Sequence, residues 1–282
     1  MTFPGTTEAS RTMPNPHPGP EQVYQNTEAA RSVVNKMADM LEGLPSTDIA
    51  VPRSEWTVGE HGAHIAFANI GFGMFAMGLE YPHGDGTRAG LAEANDIALV
   101  GFPERDGMAL AQHLRTAVET FIAAVRAASP DEEVPSPLGW MPRGTLSSYF
   151  LIHNLMHGCA ISSGLNKDFP FEPQHLQLVW PLIVHAFPSF VRADAARGVT
   201  GTVRVSAPGA FEGAFQMESS QLTVLPAPTG PVDCLVESEP THLFLVMIKI
   251  LTVQEAVDLG HMKVSGANPE LFGRMMNAIE VP

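Results

Sequence analysis

Residues 56–64 read Trp-Thr-Val-Gly-Glu-His-Gly-Ala-His, and residues 151–158 read Leu-Ile-His-Asn-Leu-Met-His-Gly. The first stretch opens a helix. Thr57 offers a side-chain oxygen at the N-cap and Glu60 stands three residues on, the pattern of a capping box. From that start, His61 and His64 fall at i and i+3 on one helix. His153 and His157 fall at i and i+4 on another, a spacing that stacks two imidazoles on one face about 6 Å apart. Facing helices that each offer histidines in this way are where bundles build metal sites. A lone HxxxH is more often a pair of buried histidines bonded to carbonyls. Two pairs on separate helices give a metal site equal standing with that plainer reading.

Working outward from these stretches, Val23, Ala30, Val33, Val34, Met37, Met40 and Leu41 recur at three- and four-residue steps. They predict a helix over 21–44, closed by Gly43-Leu44-Pro45. The helix opened at Thr57 runs to about residue 79. A Gly-rich connection and a short helical segment over 91–100 follow, then a long helix from beyond Pro103 to about residue 128. Residues 130–142 hold four prolines and read as a loop. Helices are expected over 145–163 and from near Pro173, the latter kinked or ended by Pro181 and Pro188. After Arg197-Gly198 the texture changes. Strands are expected over 202–206, 214–217, 221–225 and 232–237, helices over 240–251 and 252–259, a strand over 261–264 and a helix over 269–279. The expected organisation is a flexible N-terminal arm (1–20), an all-α helical bundle (21–195) and an α+β domain (199–282).

Composition narrows the function. The 282 residues are 45% hydrophobic and only 16% charged, with 16 Lys+Arg against 30 Asp+Glu and a net charge of −14. An acidic surface repels nucleic acid, and the apolar content is too high for a disordered chain. Two cysteines, Cys159 and Cys234, do not make a disulfide framework. No basic n-region with an apolar run opens the chain, and the apolar stretch 65–79 falls short of a membrane span. A cytoplasmic setting is therefore expected, with no nucleic-acid or membrane partner and a monomer or homodimer as the working form.

The stretch over 56–64 resembles the opening of the second helix in the DinB-like superfamily, and more narrowly the mycothiol-dependent maleylpyruvate isomerase type. That family starts the helix with Trp-(Ser/Thr) and carries a metal-binding histidine eight residues after the tryptophan, which is His64 here. Its other two ligands lie four apart on a later helix, which places them on His153 and His157. The C-terminal block, with its ending Gly-His-Met-Lys-Val-Ser-Gly-Ala-Asn-Pro-Glu-Leu-Phe-Gly over 260–273, is similar to a sterol-carrier-protein-like (SCP2-like) domain. The resemblance implies a DinB-like bundle followed by an SCP2-like α+β domain. At two points the sequence departs from the isomerases. They carry Glu where His153 stands, so the His-His-His set is closer to the thiol S-transferase members. His61 replaces a residue that is usually apolar, and reads as a fourth ligand, a proton shuttle or a polar neighbour of the site.

Three neutral imidazoles leave an open position on a divalent ion, the arrangement of a catalytic rather than a structural site. Zinc is the metal most consistent with nitrogen ligands, with nickel, cobalt and ferrous iron left open. By resemblance the open position takes mycothiol as a metal-bound thiolate, and that thiolate attacks an electrophilic small molecule. S-transfer is the leading reading and maleylpyruvate-type cis–trans isomerisation the runner-up. A small-molecule or lipid-binding protein, and a regulatory binding protein with a structural metal, are the non-enzymatic alternatives. Abundant Ala, Gly and Pro fit an actinobacterial source, where mycothiol is the expected thiol. Arg204, with Arg274 behind it, is the candidate cation for a substrate carboxylate. Cys159 and Asn154 point away from the ligand face, and Cys234 reads as a small core residue. Trp140, Met141, Phe150 and Met156 are candidates for a pocket wall or plain core. His17 and His83 sit in Gly/Pro loops. His113, His175, His185, His242 and His261 are isolated in the sequence and read as surface or structural.

Overall fold

Pro20 at the first turn, where its missing N–H costs nothing, begins α1 (Pro20–Glu42). In this computed structural model residues 17–85, 87–169, 171–225 and 230–280 are described; most of the expected N-terminal arm lies outside them. α2 (Val58–Ala76) starts on the capping box read from the sequence. Thr57 Oγ1 accepts from the Glu60 N–H at 3.2 Å, and Glu60 Oε2 accepts from the Thr57 N–H at 2.7 Å. α3 (Arg88–Gly101) and α4 (Gly107–Arg126) are capped by Thr87 and Asp106. α5 (Arg143–Gly164) and α6 (Pro173–Ala186) complete the helical series.

α1 and α2 each pack against both α4 and α5, and α6 lies along α5. The core between them is aromatic. Phe121 and Phe150 stack at 3.8 Å between centroids, and Phe72 meets both edge-on. Such ring pairs add roughly 0.5–1.5 kcal/mol beyond their buried area. The ends of the bundle are tied by Arg143, a buried guanidinium whose Nε donates to the Ala76 carbonyl at 2.9 Å and whose Nη1 pairs with Glu132 at 2.6 Å.

Two local expectations are corrected. Residues 130–142 are not a plain loop: β1 (Glu133–Val134) pairs with β2 (Met141–Pro142). Prolines at 135 and 137 mark the connection between these short strands rather than exclude pairing. Pro181 does not end α6, which continues to Ala186 and stops before Pro188, in the 3-10 turn Phe187–Phe190. Trp180, Leu182 and Ile183 around Pro181 are buried, so packing holds a helix that local propensity would interrupt.

One compact unit ends at Ala186 and another begins at Phe187. The second holds a five-stranded sheet of β3 (Gly201–Ala207), β4 (Phe211–Glu218), β5 (Gln221–Leu225), β6 (Cys234–Ser238) and β7 (Met262–Ser265), in the order β5-β4-β3-β6-β7. The β3/β6 pair is parallel and the other pairs are antiparallel. Short helices α7 (Pro240–Met247) and α8 (Val253–Asp258) link β6 to β7, and α9 (Leu271–Ala278) follows. The fold is an all-α helical unit followed by an α+β unit. Among the described residues no helix is long and apolar enough to cross a membrane.

Candidate metal centre

The helices that carry the histidines are held in register by polar pairs that a slipped alignment would break. Asn69 and Asn154 exchange amide hydrogen bonds at 2.9 and 3.1 Å in the fully buried α2–α5 contact. Asn154 Nδ2 also donates to the Phe150 carbonyl at 2.8 Å. On the other side of α5, Asn26 of α1 donates to Ser147 and Ser148 at 2.8 and 2.9 Å. A buried amide left unpaired costs about 1–3 kcal/mol, so these pairs select one alignment of the helices. Along α5, the Phe169 ring fills the space that a Cβ on Gly158 would occupy.

That alignment brings His64 of α2 together with His153 and His157 of α5. Their donor atoms lie within 4.8 Å of one another. The ring centroids are 4.5 Å apart for His64–His157, 4.7 Å for His153–His157 and 5.2 Å for His64–His153. The Nε2 atoms of His64 and His153 are 3.1 Å apart. Ligand atoms around a tetrahedral ion with bonds of 2.0–2.1 Å stand about 3.3 Å apart, so the spacing fits one ion shared by both rings. The Nδ1 atoms of the same two residues are buried without a hydrogen-bond partner. Aromatic walls position these rings instead: Phe67 meets His64 edge-on at 5.1 Å, and Phe72 lies 5.3 Å from His153.

The electrostatics suit the same use. Burial pushes His153 down to about 4, and His61 likewise to about 4. His64 and His157 fall well below the ordinary histidine value, first through burial and then through the neighbouring imidazoles. All four rings are therefore neutral at pH 7, with lone pairs available and no proton to displace before a metal binds.

His61 does not belong to the converging set of three, but it is bonded to it. Its Nδ1 is 3.0 Å from His157 Nδ1, and its Nε2 is 2.9 Å from Ser54 Oγ. Ser54 Oγ also accepts the Trp56 N–H at 3.1 Å. If His157 donates from Nδ1, His61 accepts there and donates from Nε2 to Ser54, which leaves His157 Nε2 as its free lone pair. The indole of Trp56 covers the cluster, 5.3 Å from His61, 5.0 Å from His64 and 6.4 Å from His157. Sequence reasoning missed Ser54. Its one local signal is its place two residues before the helix-opening tryptophan.

The remaining candidates are placed as follows. Arg204 lies on β3 in the second unit, half-exposed and 3.6 Å from Glu212. Arg274 donates to the Gly198 carbonyl at 2.7 Å. Burial pushes the Cys159 thiol up to about 12, which removes it as a thiolate, and Cys234 is buried on β6. Phe150 and Met141 are core. Trp140 is 63% exposed and, with Tyr81 and His83, lines a cleft of about 740 Å³. His175 accepts the Glu172 N–H at 3.0 Å and caps α6. His242 and His261, isolated in the sequence, stack on each other at 3.8 Å.

No family model matches the chain, and no curated protein matches it. Among solved structures it is similar to the mycothiol-dependent maleylpyruvate isomerase, at 14% identity over 79% of this chain and 88% of that one, with a TM-score of 0.49. It is similar to the UbiJ-SCP2 ubiquinone synthesis protein at 18% identity, over 35% of this chain and 92% of that one, with a TM-score of 0.29. Sterol carrier protein 2 like 2 from Aedes aegypti is similar at 20% identity, over 34% and 89%, with a TM-score of 0.27. The likeness is one of fold.

Proposed function

We propose that the helical unit is a metal-dependent catalyst that activates a low-molecular-weight thiol, mycothiol, for transfer to an electrophilic small molecule. One observation carries this reading: three neutral imidazoles from two helices converge within 4.8 Å, in a site closed by aromatic rings. His64, His153 and His157 would hold the ion. A divalent ion, if held there, would supply Lewis acidity favouring the thiolate form of a thiol whose ordinary pKa is about 8.5. Mycothiol is chosen on the motif resemblance over 56–64.

The chain's own residues do the rest. Phe67, Phe72 and Trp56 shield the imidazoles in part from water, which strengthens the electrostatic interactions inside. In the tautomer where His157 donates from Nδ1, Ser54 and His61 would hold the His157 Nε2 lone pair free for an ion. His61 is thereby a positioning residue, and in that tautomer both its ring nitrogens are engaged, so it takes no proton from the thiol. Arg204 keeps its proposed part as the cation for a substrate carboxylate. Arg204→Gln should raise KM for a carboxylate-bearing electrophile and leave metal content unchanged; an unaltered KM removes it from the reaction.

The test is metal analysis of purified protein joined to product analysis with mycothiol. About one equivalent of metal at this site, lost in His153→Ala and His157→Ala together with thiol turnover, is the expected result. Turnover that survives both substitutions sinks the mechanism. A thioether of matching mass identifies transfer. Loss of enone absorbance without net thiol consumption identifies isomerisation instead.

A further inference from the structure

The second unit contains another convergence of metal-type side chains, far from the histidine pairs in sequence. Glu239 is the N-cap residue of α7, His242 lies in the first turn of that helix, and His261 immediately precedes β7. Their donor atoms all lie within 4.8 Å of one another. One carboxylate oxygen, Glu239 Oε2, is 3.3 Å from His242 Nδ1 and 3.1 Å from His261 Nδ1. Those separations match the roughly 3.3 Å edge of a tetrahedron with 2.0–2.1 Å metal bonds.

The Glu239 carboxylate pairs with both imidazoles, but this pairing does not saturate the group. His242 Nδ1 is buried and makes no hydrogen bond of acceptable geometry, although the carboxylate stands beside it. The two imidazoles lie face to face, 3.8 Å apart and 12° from parallel, so both Nδ1 atoms come to the same oxygen. The backbone beneath them is fixed independently. The Glu239 N–H donates to the His261 carbonyl at 3.0 Å, Ser238 Oγ donates to the same carbonyl at 3.3 Å, and Ser238 pairs with Met262 across β6–β7. The side chains have room to adjust: Glu239 is 61% and His261 38% exposed, against 19% for His242. Lone pairs in parallel ring planes do not converge, so a shared ion requires a large turn of the His261 ring about its side-chain torsions, for which its exposure leaves room.

We infer that Glu239, His242 and His261 form a second divalent-metal site that clamps the start of α7 to the start of β7. Two neutral imidazoles and one carboxylate suit a first-row ion such as Zn²⁺, Ni²⁺ or Co²⁺ and leave positions open to water. The open, solvent-facing setting makes it a weaker site than the buried three-histidine cluster. It tightens the link across the 19 or so residues of α7 and α8 that separate His242 from His261.

The test is equilibrium dialysis of the full chain against Ni²⁺ after chelator treatment, with metal counted by mass spectrometry. The wild type should bind two equivalents. His242→Ala/His261→Ala and, separately, Glu239→Gln should each lose one, while His153→Ala/His157→Ala loses the other. Glu239→Gln keeps the shape of a half-exposed side chain, so its result stands even if the double variant folds poorly. Nickel should also raise the melting temperature of His153→Ala/His157→Ala, and this shift should vanish when His261→Ala is added. Unchanged stoichiometry in both Glu239→Gln and the His242/His261 variant overturns the site, whatever the three-histidine cluster does. Failure of that cluster alone would show as one equivalent in the wild type and none in Glu239→Gln.

Discussion

At the scale of single residues, the informative ones are those that touch the histidines without joining them. Trp56 lies 5.0 Å from the His64 ring, well within range for a paramagnetic ion at the cluster to quench its fluorescence. Adding Co²⁺ or Ni²⁺ should therefore dim the tryptophan emission, and Trp56→Phe should abolish most of that change. Quenching that persists in Trp56→Phe would place the ion elsewhere, near Trp140 or Trp180. Ser54 acts one step further out. Ser54→Ala removes the partner of His61 Nε2 and frees the His61–His157 pair to take either tautomer. Loss of such outer partners typically weakens metal binding about 10–100-fold. Ser54→Thr, which keeps the hydroxyl, should restore affinity. A merely structural Ser54 would leave metal affinity unmoved in both variants while changing the melting temperature.

At the scale of elements, the site depends on α2 and α5 keeping one register, and the Asn69–Asn154 pair is the device that sets it. Asn154→Ala leaves the Asn69 amide buried without its partner. The expected loss is about 1–3 kcal/mol of stability, read by urea denaturation, with metal affinity falling as well because His153 is the adjacent residue. Asn69→Leu/Asn154→Leu removes both amides and should recover stability better than affinity. The same elements show what was legible in the sequence. α1 and α4 announce themselves by a sustained apolar period, and α2 by a local cap: Thr57 and Glu60 alone fix where α2 begins. β5 is likewise read from its own residues. The β1–β2 pair is not, because two-residue strands carry no period. Neither is the passage of α6 through Pro181, which neighbours decide. Within the site, helical spacing exposes the two histidine pairs, whereas the choice of His64, His153 and His157 came from the resemblance. The contact of Ser54 with His61 and the stacking of His242 on His261 arise only when distant segments fold together, and no local pattern encodes them.

At the scale of the molecule, the scarcity of charge and the abundance of histidine combine into one measurable property. Burial lowers the pKa of His61, His64, His153, His157 and His175, and, less deeply, of His185 and His242. In the unfolded chain these rings take up protons near pH 6.5, whereas folded His61, His153 and His175 do so only near 4. Between those values the unfolded state binds more protons, so stability must fall as pH falls, by up to about 1.4 kcal/mol per pH unit for each proton. The carboxylates cannot produce this slope. Glu28, held low first by Arg126 and then by Arg31, Glu119, held low by Arg31, and Glu132, held low by Arg143, lose their stabilising contribution only below about 4.5. The interval from pH 6.5 to 5 therefore belongs to the histidines. Metal-free protein unfolded in urea at pH 7.5, 6.5, 5.5 and 5.0 should lose only about 1–2 kcal/mol over the first step and several kcal/mol more over the rest. A metal that binds only the folded state adds stability on the neutral side and steepens the decline, because protons displace it as the site is titrated. A flat profile from pH 6.5 to 5 in the metal-free chain would mean that these imidazoles are not buried and neutral, and with that the preorganised site would go.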